Sequence, residues 1–152
     1  MGLDTVVVAV GGGDEDRLAE IVATATDLAG PAGAAVRLIH VFERAEYDRI
    51  RDQLDIDDGD EVTPDEVAKR HLTVRKLGEA MDDAGLQYSW HGRVSDDDGQ
   101  GDEIVAAAAE LGADLLVVGG RSRSPTGKAV FGSTAQEVLL SAPCPVTFVR
   151  AD

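Results

Sequence analysis

The sequence predicts an open five-stranded parallel α/β sheet with helices on both faces, a Rossmann-like arrangement, and three observations predict it. Short aliphatic runs such as TVVVAV at residues 5–10 and LLVV at residues 115–118 recur along the chain. Runs of this kind, without polar alternation and bounded by glycine, suit strands covered on both faces. Between them lie stretches with helical apolar spacing, in the order β-α-β-α-β-α-β-α-β. Connections of that length are crossover helices, which are right-handed almost without exception and make the sheet parallel. The third observation is size, since 152 residues suffice for one domain, residues 1–152, with a proper core.

Each element has its own local reason. The first strand runs into Gly11, Gly12 and Gly13. Asp14, Glu15 and Asp16 follow, anions suited to the positive end of a helix dipole. That helix is predicted over residues 15–29, with Leu18, Ile21, Val22, Ala25 and Leu28 inward and Gly30, Pro31 and Gly33 ending it. Residues 35–41 form the second strand. Residues 42–62 read as a polar connection with a helical turn or two. An EF-hand register on Gly59 places Leu54 and Ile56 at ligand positions, so the acidic stretch is no calcium loop. Thr63, Pro64 and Glu66 form a capping-box start for a helix reaching Ala84, and Gly85 stops it. The third strand covers residues 86–92. An alanine-rich helix over residues 102–111 suits close packing on the sheet, and Gly119 and Gly120 end the strand after it. A helix over residues 133–140 leads to the fifth strand in PCPVTFVR, with Pro143 and Pro145 at its entry.

Charge excludes several partners. The chain carries 29 acidic and 14 basic residues, a formal net charge of −15. Lys69, Lys76 and Lys128 are its only lysines, and the other eleven cations are arginines. This balance works against nucleic acid and anionic membranes. An acidic, lysine-poor surface resembles that of proteins from salt-loving cells, where salt near 1 M cuts the Debye length to about 3 Å, and the plainer reading is an ordinary acidic cytosolic protein. No apolar run has a membrane span's length, the N-terminus enters a strand without a basic leader, and Cys144 stands alone. These features point to the cytoplasm.

Residues 119–134 hold the chemistry. A buried strand ends at Gly119, and the loop beyond it carries Arg121, Ser122, Arg123 and Lys128. Gly132, Ser133 and Thr134 then open a helix. Free N–H groups, a helix dipole and scarce cations at one place suit a phosphate, although glycines that only make turns and a serine that only caps remain the plainer reading. Established motifs fail. Ala129 follows Gly127-Lys128, where a Walker loop needs a hydroxyl. Asp16 stands at the third glycine of the Rossmann fingerprint. His40, His71 and His91 lack metal-ligand spacing, and Cys144 reads as an inert thiol.

Over nearly its full length the chain resembles the universal stress protein family. Gly119, Ser122, Gly132 and Ser133 match the intervals of that family's nucleotide motif, G-x2-G-x9-G-[ST], and GADLLVVG and APCPVTFV resemble its flanks. The resemblance implies strand order 3-2-1-4-5, with a cleft between the loops after the first and fourth strands. It implies ATP in that cleft, with Mg2+ only alongside nucleotide, and Val41 beside the adenine. It also implies a homodimer formed through the fifth strand, where Thr147 flanked by Val146 and Phe148 suits edge pairing. Two positions depart from the family. Ser122 replaces a glycine, and Gly11 stands where an aspartate usually faces the adenosine. Two functions therefore remain open. One is a regulatory stress-response module that binds adenine nucleotide, with slow hydrolysis at most. The other is a dimeric interaction module without nucleotide. No acid–base pair is visible, so no catalytic residue is assigned, and the sequence names no downstream partner.

Overall fold

The computed structural model describes residues 2–10, 14, 17–53, 63–69, 72–96, 99–120 and 133–150. Among them, five strands form one sheet: β1 (Thr5–Ala9), β2 (Ala35–Glu43), β3 (Tyr88–Ser95), β4 (Leu115–Gly120) and β5 (Val146–Arg150). Their order is β3-β2-β1-β4-β5, and every pairing is parallel. The order reverses between β1 and β4. In open sheets the crevice beyond the carboxyl ends of the strands at such a reversal is where ligands bind.

The central strands are apolar on both sides because both sides are covered. One face joins Val6, Val8, Val36 and Leu38 to Ile21 and Ala25 of α1 (Leu18–Ala32) and to Leu77 and Met81 of α4 (Leu72–Asp83). The other joins Val7, Ile39, Leu116 and Val118 to Ile104, Ala107 and Ala108 of α5 (Gln100–Glu110) and to Val138 of α6 (Ser133–Ser141). Alternate residues of each strand supply the two faces, as the pleat requires. The carboxylate of Asp114 accepts the N–H groups of Asp4 and Thr5 at 2.9 and 3.0 Å, locking the entry of β1 to that of β4.

Several elements differ from the expectation. Helix α1 begins at Leu18 and runs through Gly30 and Pro31 to Ala32. The proline lacks only one late helical donor, so the helix ends instead at Gly33, whose φ of 66° is left-handed. The N–H of Ala34 then reaches the Ala29 carbonyl at 3.0 Å, closing the helix end. The turn or two foreseen after β2 is a ten-residue helix, α2 (Arg44–Gln53). It is held by Tyr47, buried against Phe42, Val67 and Ala68, an anchor that a mostly polar segment concealed. The helix expected over residues 63–84 is described as α3 (Pro64–Lys69) and α4, with residues 70–71, including His71, outside the described residues. Its foreseen start is present, since Thr63 Oγ1 accepts the Glu66 N–H at 3.3 Å. Gly119 and Gly120 do not stop β4; they belong to it, paired with Val149 and Arg150.

Candidate functional site

A cavity of about 300 Å³ opens where β1 and β4 diverge. Its floor is apolar: Ala9 from β1, Ile39 and Val41 from β2, Val118 from β4 and Ile104 from α5. Thr134 and Ala135 bring the first turn of α6 to its wall, and Gln100 brings that of α5. Helix starts present unpaired N–H groups and partial positive charge, so two such ends face one space. An apolar pocket of this size with a few convergent polar groups is the usual form of a small-molecule site.

Asp14 supplies the first of those polar groups. It is buried, and its Oδ1 accepts a hydrogen bond from Arg17 Nε at 2.7 Å. The pair rests on Gly119, where an added Cβ would lie 2.8 Å from Asp14 Oδ1 and 3.0 Å from Arg17 Cδ. A side chain at position 119 would therefore push the pair out of place. Burying a carboxylate is costly unless it is paired and hydrogen-bonded, and Arg17 meets that need.

His40 supplies the second. It lies at the end of β2 with only 2% of its surface exposed. Its Nδ1 is 2.7 Å from the Val10 carbonyl and its Nε2 is 3.0 Å from Glu46 Oε1 on α2. The Val10 N–H in turn donates to the Ile39 carbonyl at 2.9 Å. Both backbone polar groups of Val10 are thus engaged just beyond the end of β1. Phe42 packs edge-on against the imidazole, with centroids 4.4 Å apart, and fixes the ring plane. Glu46 lines the cavity above it.

The structure brings together three of the residues singled out from sequence. Val41, Gly119 and Thr134 all line the cavity, and Ser133 opens α6 beside it. Gly11, Arg121, Ser122, Arg123, Lys128 and Gly132 lie outside the described residues. Sequence reasoning missed Asp14, taken only as a helix-start anion, along with His40, Glu46 and Gln100. A faint signal existed for Asp14, which follows three glycines and precedes Arg17 by one helical turn. Nothing local marked Glu46, because its role depends on α2 folding back over β2. Cys144 stands apart from the cavity lining, and partial burial raises its thiol pKa, consistent with an inert thiol.

The sequence profile of the universal stress protein family matches residues 2–150. A universal stress protein of Mycolicibacterium smegmatis is 45% identical over 49 residues, which span 32% of this chain and 38% of that relative. One from Thermus aquaticus is 45% identical over 47 residues, spanning 31% of this chain and 34% of the relative. Each of these matches therefore spans only about a third of the relative's length. Solved structures align over the whole fold. A universal stress protein from Archaeoglobus fulgidus superposes with a TM-score of 0.71 at 27% identity, over 96% of this chain and 98% of its own. A universal stress protein in complex with cAMP gives 0.69 at 21% identity, covering 100% of both chains. One from Archaeoglobus fulgidus in complex with dAMP gives 0.67 at 22% identity, covering 98% of this chain and 99% of its own.

Proposed function

The chain belongs to the universal stress protein family, and from that premise we propose that it is a stress-response module that binds an adenine nucleotide, ATP, in the cleft between β1 and β4. The single observation that carries this reading is the cavity itself. It lies at the reversal of strand order and is apolar on its floor, with two helix starts and Asp14 in its lining. The solved relatives in complex with cAMP and dAMP support adenine nucleotides as the ligand class.

In this reading the base lies toward Val41 and the first turn of α6 meets the phosphates, joined by the loop carrying Arg121, Ser122, Arg123, Lys128 and Gly132. Asp14 offers the carboxylate that the sequence lacks at Gly11, and it accepts from the ribose hydroxyls. Gly119 keeps room for that carboxylate. Mg2+ enters with the phosphates in this reading. The bound state, not turnover, is the output. We also assign the protein to the cytoplasm of a salt-loving cell, supported by the net charge of −15, and to a homodimer formed through β5.

Calorimetric titration with ATP at molar KCl tests the reading. Saturable binding with one site per chain is expected, and absence of binding by folded protein overturns it. The second reading, an interaction module without nucleotide, is favoured by one observation: Leu139 and Leu140 on α6 are 40% and 79% exposed. The same titration decides between the two.

A further inference from the structure

We propose that Asp65 and Arg93 form a latch over the free edge of β3, and that this latch stops a second copy of the chain from adding to the sheet there. Among the described residues β3 ends the sheet, with β2 as its strand neighbour. The Val36 N–H donates to the Gln87 carbonyl at 2.8 Å, which sets the phase of that parallel ladder. With Val36 opposite Tyr88 and His40 opposite Gly92, the backbone groups of Ser89, His91 and Arg93 face β2. Those of Tyr88, Trp90, Gly92 and Val94 turn outward.

An edge of outward N–H and C=O groups is a template for another strand. At Gly92 both groups are taken by side chains. The N–H donates to Asp65 Oδ1 at 2.7 Å, and the carbonyl accepts from Arg93 Nη1 at 2.8 Å. The carboxylate thus stands where the carbonyl of a neighbouring strand would, and the guanidinium where its N–H would. Both bonds are charge-assisted, and so stronger than the ladder bonds they replace.

Each arm of the latch is itself held. Arg93 Nη1 lies 3.6 Å from Asp65 Oδ1, and its Nη2 donates to Glu110 Oε2 of α5 at 2.9 Å. Asp65 is carried by α3, which Val67 and Ala68 seat against Phe42 and Tyr47. Gly92 lets α3 come this close, since a Cβ there would lie 2.1 Å from the Pro64 carbonyl oxygen. A sheet that self-pairs through one edge closes as a dimer, whereas one with two open edges can keep growing. The latch on β3 leaves β5, at the other end of the sheet, as the pairing edge. It is independent of what the cleft holds.

The test combines sedimentation velocity with amide hydrogen exchange followed by NMR, at molar KCl, on proteins verified as folded by circular dichroism. In the unaltered protein the Gly92 amide should exchange about tenfold or more slowly than an open amide, the worth of one hydrogen bond to a charged group. Exchange as fast as an open amide overturns the latch, whatever the variants do. Asp65→Ala and Arg93→Ala should each form larger species whose size rises with protein concentration, and those species should protect the outward amide of Val94. Asp65→Asn removes the same charge as Asp65→Ala but keeps an acceptor for the Gly92 N–H. It should stay at the size of the unaltered protein. A merely structural role would lower the unfolding midpoint without this growth. Either alanine variant folded and unchanged in size, or growth that leaves Val94 unprotected, overturns the inference.

Discussion

At the scale of single residues, the cleft is defined by side chains that are present and by one that is absent. Asp14 and Arg17 meet over Gly119, more than a hundred positions along the chain. Gly119→Ala would place a methyl 2.8 Å from Asp14 Oδ1. Overpacking of this kind costs about 1–3 kcal/mol, so urea unfolding should show a loss on that scale. ATP affinity should fall with it, because the displaced carboxylate is the one proposed to meet the ribose. Unchanged stability and affinity would mean that the ion pair yields without consequence. The residue scale is also where sequence was least legible. The loop motif marked Gly119 and Ser133 through their spacing, and Thr134 was marked as part of the helix start. His40 and Glu46 acquire their roles from the contact between β2 and α2, which no local pattern encodes, and Asp14 left only a faint local signal. Gly11 has no carboxylate to offer the adenosine, whereas Asp14 brings one into the cleft.

At the scale of elements, Gly92 decides how α3 sits on β3. A Cβ there would lie 2.1 Å from the Pro64 carbonyl oxygen, a backbone atom with little room to move. Gly92→Ala should therefore destabilise the fold toward the upper end of about 1–3 kcal/mol, read from chemical unfolding. Retained stability would contradict the tight docking of that helix. The second prediction at this scale concerns β5, the edge proposed for the dimer. The Leu116 N–H donates to the Pro145 carbonyl at 3.0 Å, which sets the phase of the parallel ladder. With Leu116 opposite Val146, the N–H of Thr147 faces β4, and those of Val146 and Phe148 face outward. Val146→Pro thus removes an outward donor while sparing the bonds to β4. It should shift sedimentation from dimer to monomer with the fold retained. A monomer for the unaltered protein at tens of micromolar would refute the interface. Most elements were legible because apolar runs and caps are local signals. Strand order was not, since it depends on long-range pairing and came only through the family resemblance. Helix α1 ran past Gly30 and Pro31 because a proline near a helix end removes few bonds, so the expected stop came late.

At the scale of the whole molecule, the net charge of −15 opposes compaction when it is unscreened. At 1 M salt the Debye length is about 3 Å, and repulsion between separated surface carboxylates is largely lost. Thermal unfolding across KCl concentration should therefore show a midpoint that rises from low salt to 2 M. A flat profile would remove the salt-adapted reading. The same charge bears on the cleft, because a polyanionic ligand must approach an acidic protein. Binding should strengthen from low to moderate salt, as long-range repulsion is screened before the contacts within the site are.

In the proposed function, the cleft between β1 and β4 holds an adenine nucleotide with its phosphates against the start of α6. The measurement that meets it most directly is calorimetric titration of ATP at molar KCl into the unaltered protein and into Gly132→Val, each verified as folded by circular dichroism. Saturable binding is expected from the first and none from the second, because the family's nucleotide motif calls for glycine at that position. Negligible binding by both, or equal binding by both, would contradict it.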